Sequence, residues 1–339
     1  MLTIECLGAQ SLFDVLKNSR LGQYPSQAEI SSVLDANAFF VDYYCQWKGV
    51  TRQNIGETVQ RFAEPSWQSE HPVLAGLARG FHFALENLEE LQAGLDNLKG
   101  LDASALAEQT ATFLPPDTPL DATIHYTVDG FNGGFQFQDG IGLSLLHFNH
   151  PDQLGPVIRH ELHHVGFGYW AVHDPIRQAI LTEISGRAVA VRHAQNLLAE
   201  GLANFYCSPL KADLAHMPAA VIAKLEHFAR EDRLLLAQAS DILTKALTPG
   251  ADFQACQRAY DEIAVDLEGI QPAGHYIGAR MVEIMSQVHS TESIVACVCS
   301  LPNFLVRYNQ AAEQTGAPLF DPTAVVQFGQ LWQPNPESQ

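Results

Sequence analysis

The stretch Gly155-Pro156-Val157-Ile158-Arg159-His160-Glu161-Leu162-His163-His164-Val165-Gly166-Phe167-Gly168 decides how this chain is read. Val157, Ile158 and Leu162 give it apolar faces. Gly155 can cap a helix, and Pro156 suits a first helical position, where a missing N–H costs nothing. The pattern predicts a helix that starts at Pro156 and is stopped by Gly166 and Gly168. On such a helix His160 and His164 lie one turn apart and roughly 40° round the axis, so two imidazoles can face one ion. Glu161 lies about 100° round from His160, near enough to take a proton from a water held there without itself binding the metal. Two neutral nitrogen donors and an adjacent base form the core of a hydrolytic zinc site. His163 points to one side of the pair and reads as a packing or supporting residue. The competing reading is a histidine-rich helix face that holds no metal.

A catalytic zinc needs three protein donors and one open position. A histidine closely following the helix would be expected at position 170, but Trp170 stands there. Two glutamates remain. Glu200 lies in Leu197-Leu198-Ala199-Glu200-Gly201-Leu202-Ala203-Asn204-Phe205-Tyr206, where apolar residues recur at helical spacing. A carboxylate packed among them is costly to bury without a partner, and a metal supplies one. Gly201 and Ala203 keep that helix slim, which lets two ligand-bearing helices approach. Glu183 follows Asp174-Pro175, a helix start that would place it two turns in. One continuous helix over 176–206 would hold the two glutamates about 25 Å apart, so only one can be the ligand. Glu200 leads because its whole local sequence fits.

His160-Glu161-Leu162-His163-His164 followed by Glu200-Gly201-Leu202-Ala203 resembles the glutamate-type zincins, or gluzincins. It is most similar to bacterial families described as zinc-dependent peptidases, over about residues 120–290. The resemblance implies one zinc ion held by His160, His164 and Glu200, with Glu161 as general base in peptide hydrolysis. It also implies a zincin-like catalytic core, in which the sheet edge before the motif helix binds substrate backbone by strand addition. Residues 134–146 are the candidate edge. The gap between His164 and Glu200 is longer than in the large zinc aminopeptidases, and their Gly-Ala-Met-Glu-Asn run is missing, so an aminopeptidase assignment does not carry over. Gly274-His275-Tyr276-Ile277-Gly278-Ala279 resembles the aminopeptidase helix whose tyrosine stabilises the oxyanion. That implies Tyr276 as a catalytic donor, with His275 as the alternative. Asp129, Asp139, Asp174 and Asn204 are available to orient the ligands. Two rival readings stay open: a non-catalytic scaffold stabilised by zinc, and a zinc hydrolase of non-peptide amides or esters.

Composition narrows the function classes. The 339 residues carry 19 Lys and Arg against 38 Asp and Glu, a formal charge of −19. That balance argues against nucleic acid and anionic membrane surfaces as partners and favours cationic or neutral substrates, whereas a peptide or protein substrate is what the resemblance implies. No apolar window reaches transmembrane length, and Met1–Cys6 lacks a basic region followed by an apolar run. Neither a membrane span nor a signal peptide is expected, and the location expected is cytoplasmic. The six cysteines are scattered and read as reduced thiols.

The expected fold class is α+β, predominantly α-helical, with a small antiparallel sheet preceding the motif helix. Helices are predicted over 11–19, 26–64 and 74–97. The Pro-rich run 113–121 marks a boundary, giving an N-terminal helical region 1–115 and a catalytic region 116–339. Strands are predicted over 123–128, 134–138 and 141–148, within a sheet region 120–148. Beyond residue 152 the chain reads as helices punctuated by Pro218, Pro249-Gly250, Pro272, Pro302 and Pro318. A frayed polar tail follows from Pro334.

Overall fold

Four short strands form one mixed sheet of order β1-β2-β4-β3: β1 Leu2–Glu5, β2 Ala122–Thr127, β3 Gly134–Phe137 and β4 Gly140–Ser144. The expected antiparallel arrangement is corrected here. β1 and β2 are parallel, β2 and β4 are parallel, and only β3 and β4 are antiparallel. The reason is burial. Every residue of β4 is buried, so it takes a central place, whereas Gly134 and Gln136 are exposed, which confines β3 to the edge. The third predicted strand also ends early, at Ser144, whose hydroxyl accepts from Leu146 N–H (3.2 Å) as the chain turns. The computed structural model describes residues 2–64, 67–138, 140–208, 217, 219–265 and 272–333. Asp139, Pro218 and the tail from Pro334 lie outside the described residues.

The chain forms two compact units, one of Met1–Ala107 with Leu120–Leu162, the other of Glu108–Pro119 with His163–Gln339. The first holds the sheet and helices α1 Leu7–Arg20, α2 Gln27–Ala36, α3 Ala38–Trp47, α4 Arg52–Arg61, α5 Pro72–Glu86 and α6 Leu88–Lys99. The division passes through α7 Ala103–Ala111 and through α8 Pro151–Val172. The helix predicted over 26–64 is three helices. Asn37 ends α2, and its side-chain amide donates to the carbonyls of Gly8 (3.1 Å) and Val33 (2.9 Å).

The second unit holds α9 Pro175–Leu181, α10 Gly186–Leu202, a π turn Ala203–Cys207, α11 Ala219–Arg230, α12 Asp232–Leu247, α13 Phe253–Ala264, α14 Ala273–Ser286, α15 Thr291–Val295, α16 Leu301–Thr315 and α17 Pro322–Gln330. Its core runs through α10, where Val189, Ala190, Val191, Ala194, Leu197, Leu198 and Leu202 are fully buried. A helix apolar on this many sides must be surrounded by others. Gly201 and Gly278 allow a close packing of α10 on α14. A Cβ on Gly201 would lie 2.6 Å from the Gly278 carbonyl oxygen, and one on Gly278 would lie 2.4 Å from that of Leu197. The slimness expected of Gly201 is therefore used, and α14 is the helix it admits.

Candidate metal centre

The motif helix α8 is longer than the sequence suggests at both ends. It begins at Pro151, with the His150 carbonyl accepting from the N–H groups of Gln153 (2.9 Å) and Leu154 (3.2 Å). Leu154, Ile158 and Leu162 are fully buried at spacing four, so the apolar stripe starts one turn before Pro156 and selects the earlier start. Pro156 then lies inside the helix, where it forfeits one helical bond. Gly166 and Gly168 do not stop the helix. The two glycines together cost about 2 kcal/mol relative to alanine, which burial of Phe167 between them, worth ~1.5–3 kcal/mol, and of Ala171 beyond them offsets.

This long helix presents His160 and His164 one turn apart. Glu200 comes from α10, which Ser185 caps, its hydroxyl accepting from Ala188 N–H (3.3 Å). One donor atom from each of His160, His164 and Glu200 lies within 4.8 Å of the others. Glu200 Oε1 is 3.4 Å from His164 Nε2, and both side chains are mostly buried. Two imidazole nitrogens and one carboxylate oxygen brought this close are the donor types of a zinc site.

Glu183 stands apart from this cluster. α9 starts as the sequence predicts, with the Asp174 carboxylate accepting from Ile176 N–H (3.1 Å) and Arg177 N–H (3.0 Å). It ends at Leu181, however, which leaves Glu183 in the break before α10 rather than two turns into a helix. There it accepts from the Ser185 hydroxyl (2.7 Å) and pairs with Arg187 (3.7 Å).

Glu161, the expected base, sits beside the edge strand. A Cβ on Gly134 would lie 3.2 Å from Glu161 Oε1 and 3.0 Å from Leu143 Cδ2. Sequence reasoning placed this segment near the motif but did not single out Gly134. Its position at the head of an alternating strand just before the helix is the signal that could have found it.

The surroundings of Glu200 are specific. The Asn204 side-chain amide donates to the Glu200 backbone carbonyl (2.9 Å) and to its Oε2 (3.1 Å). His275 Nε2 lies 3.5 Å from the same oxygen. Burial pushes the His275 imidazole below the usual histidine range, against the opposing pull of Glu200. His163 is fully buried, with Nε2 at 3.1 Å from the Phe113 carbonyl, and burial pushes it down to about 3. Its supporting role agrees with the sequence.

Tyr276 is bonded to another group. Its hydroxyl donates to Asp232 Oδ1 (3.1 Å), which also accepts from Arg280 Nε (3.2 Å), while Arg280 reaches Glu283 (2.8 Å). Successive residues on a helix face directions about 100° apart, so one of the two adjacent side chains turns to Glu200 and the other away. The structure turns His275 to Glu200. Asp129 and Asp174, two of the other candidate orienting groups, are engaged elsewhere. Asp129 accepts from Tyr44 and from the Phe131 N–H (2.7 Å), and Asp174 caps α9 and accepts from Trp332 Nε1 (2.9 Å).

Among the described residues no helix is long and apolar enough to cross a membrane. No curated protein and no solved structure matches the chain. A family model matches residues 32–317, well over half of the 339. The chain belongs to the family described as "Putative zinc dependent peptidase (DUF5700)".

Proposed function

We propose that the protein is a zinc metallopeptidase of gluzincin type, with His160, His164 and Glu200 as ligands of one zinc ion and Glu161 as general base. The observation that carries this reading is the convergence of the three donor atoms within 4.8 Å, on the motif helix and the helix bearing Glu200. Zinc bound there supplies Lewis acidity, lowering the pKa of a coordinated water to about 7 and polarising a carbonyl. The remaining work falls to this chain's side chains. Glu161 accepts a proton from the attacking water and returns it to the leaving amine. His275, beside Glu200, is the better placed donor to the developing oxyanion, in place of Tyr276.

The edge strand supports an extended peptide as substrate. Ser144 N–H donates to the Gly133 carbonyl (2.9 Å), and the register pairs Gly134 with Leu143 and Phe135 with Gly142. Hydrogen-bonded pairs alternate in an antiparallel ladder, so Phe135 spends its backbone groups on β4, whereas those of Gly134 and Gln136 face outward. A substrate strand paired there runs past Gly134, the residue beside Glu161.

The test uses full-length protein and a mixed peptide library, with zinc content measured in parallel. Glu161→Gln is expected to keep its zinc and lose at least a hundredfold in cleavage, since general-base catalysis contributes about 10²–10⁴-fold. Glu200→Ala is expected to lose zinc, whereas Glu183→Ala keeps it. Unimpaired cleavage by Glu161→Gln would refute the base assignment. Chelator-insensitive cleavage, or zinc binding without any cleavage, would refute the metallopeptidase.

A further inference from the structure

We infer that Asn204 is a positioning residue that, with the π turn it lies in, presents Glu200 to the metal through one carboxylate oxygen. This rests on the zinc reading above. The Glu200 carbonyl accepts from Ala203 N–H where α10 ends. The helix then widens over Ala203–Cys207, and Ser208 N–H reaches back five residues to Ala203 (2.9 Å), where an α-helix would use Cys207. Such π turns are rare. Here the side-chain amide of Asn204 donates to the Glu200 carbonyl (2.9 Å). The same nitrogen, which carries two hydrogens, also donates to Glu200 Oε2 (3.1 Å). One amide thus ties the backbone and the carboxylate of the same residue together.

Asn204 is 4% exposed, so bulk water hardly competes for these bonds. They divide the two carboxylate oxygens. Oε2 faces Asn204 and His275 (3.5 Å), whereas Oε1 faces His164 (3.4 Å). A glutamate left to itself on a helix samples several rotamers, and ordering it is a cost that metal binding must otherwise meet. The amide bond sets the rotamer beforehand and engages Oε2, so that Oε1, the oxygen beside His164, is the one presented to the metal. A carboxylate or a methyl at position 204 cannot do this, because the role requires a donor.

Zinc affinity of the full-length protein, measured by competition with a chromophoric chelator, tests the proposal. The melting temperature of the metal-free protein is recorded in parallel. Asn204→Ala and Asn204→Asp are expected to bind zinc about 10–100-fold more weakly, the range typical of residues that orient metal ligands, while the metal-free melting temperature moves only a few degrees. Asp matches the size of Asn but brings a negative charge, so its loss is expected to be the larger. Wild-type affinity in both variants overturns the proposal while leaving the zinc reading intact. So does weakening that only tracks unfolding of the metal-free variants. Failure of the wild-type protein to bind zinc overturns both readings together.

Discussion

Single histidines in this chain differ by what burial leaves them. His193, on α10 two turns before Glu200, is fully buried with Nε2 at 2.9 Å from the Ala239 carbonyl, and burial pushes it down to about 4. The unfolded chain binds a proton at its ordinary value near 6.5, but the folded chain resists until about pH 4. The stabilising contribution of neutral His193 is therefore fully present above pH 6.5 and is lost as pH falls toward 4. Asp129 acts in the opposite sense, since burial raises it to about 6 and its stabilising contribution is lost as pH rises from about 4 to 6. Comparing His193→Gln with wild type cancels that background. Their stability difference is expected to shrink by about 1.4 kcal/mol per pH unit from 6.5 to 4. Urea unfolding of chelator-treated protein measures it, and a difference independent of pH would contradict neutral burial. At this scale the sequence revealed His160, Glu161 and His164 because their spacing is itself the chemistry. It could not choose between His275 and Tyr276, because adjacent residues share a local context and only the rotation of α14 separates them.

At the scale of elements, glycines act according to what lies opposite them. Gly278 faces the Leu197 carbonyl so closely that a methyl there would lie 2.4 Å away, whereas nothing lies within 4 Å of a Cβ on Gly168. Gly278→Ala is expected to destabilise the metal-free protein by about 1–3 kcal/mol through overpacking. Gly168→Ala is expected to stabilise it by about 0.5–1 kcal/mol, as alanine favours a helix interior. Thermal or denaturant unfolding measures both, and equal effects would show that the α10–α14 packing does not depend on Gly278. The sequence reading stopped α8 at Gly166 because local propensity disfavours glycine in a helix. Burial of Phe167 reversed that preference, and burial cannot be read from propensity.

For the whole molecule, zinc links the site to stability. The folded chain brings His160, His164 and Glu200 together, and an unfolded chain does not, so the proposed zinc ion is expected to favour the folded state. Free zinc at a hundred times its dissociation constant is expected to add about 2.7 kcal/mol of stability, and a chelator to remove it. Scanning calorimetry with and without chelator measures the shift, and an unchanged melting temperature would rule out a zinc site in the folded state. The mixed sheet also belongs to this scale. β1 pairs with β2 from the opposite end of a long helical stretch, and no local pattern announces a parallel partner more than a hundred residues away.

The sequence by itself determined the mainly helical class with a small sheet, the placing of His160, Glu161 and His164 on one helix, and the segment containing Glu200. Each of these is written in spacing along a single element. The tertiary structure alone decided which glutamate stands beside the histidines, that His275 rather than Tyr276 faces it, and that Asn204 holds its second oxygen. It also set the strand order. These features depend on where a helix stops, how it is rotated and which backbones meet, and burial energy summed over distant residues settles them.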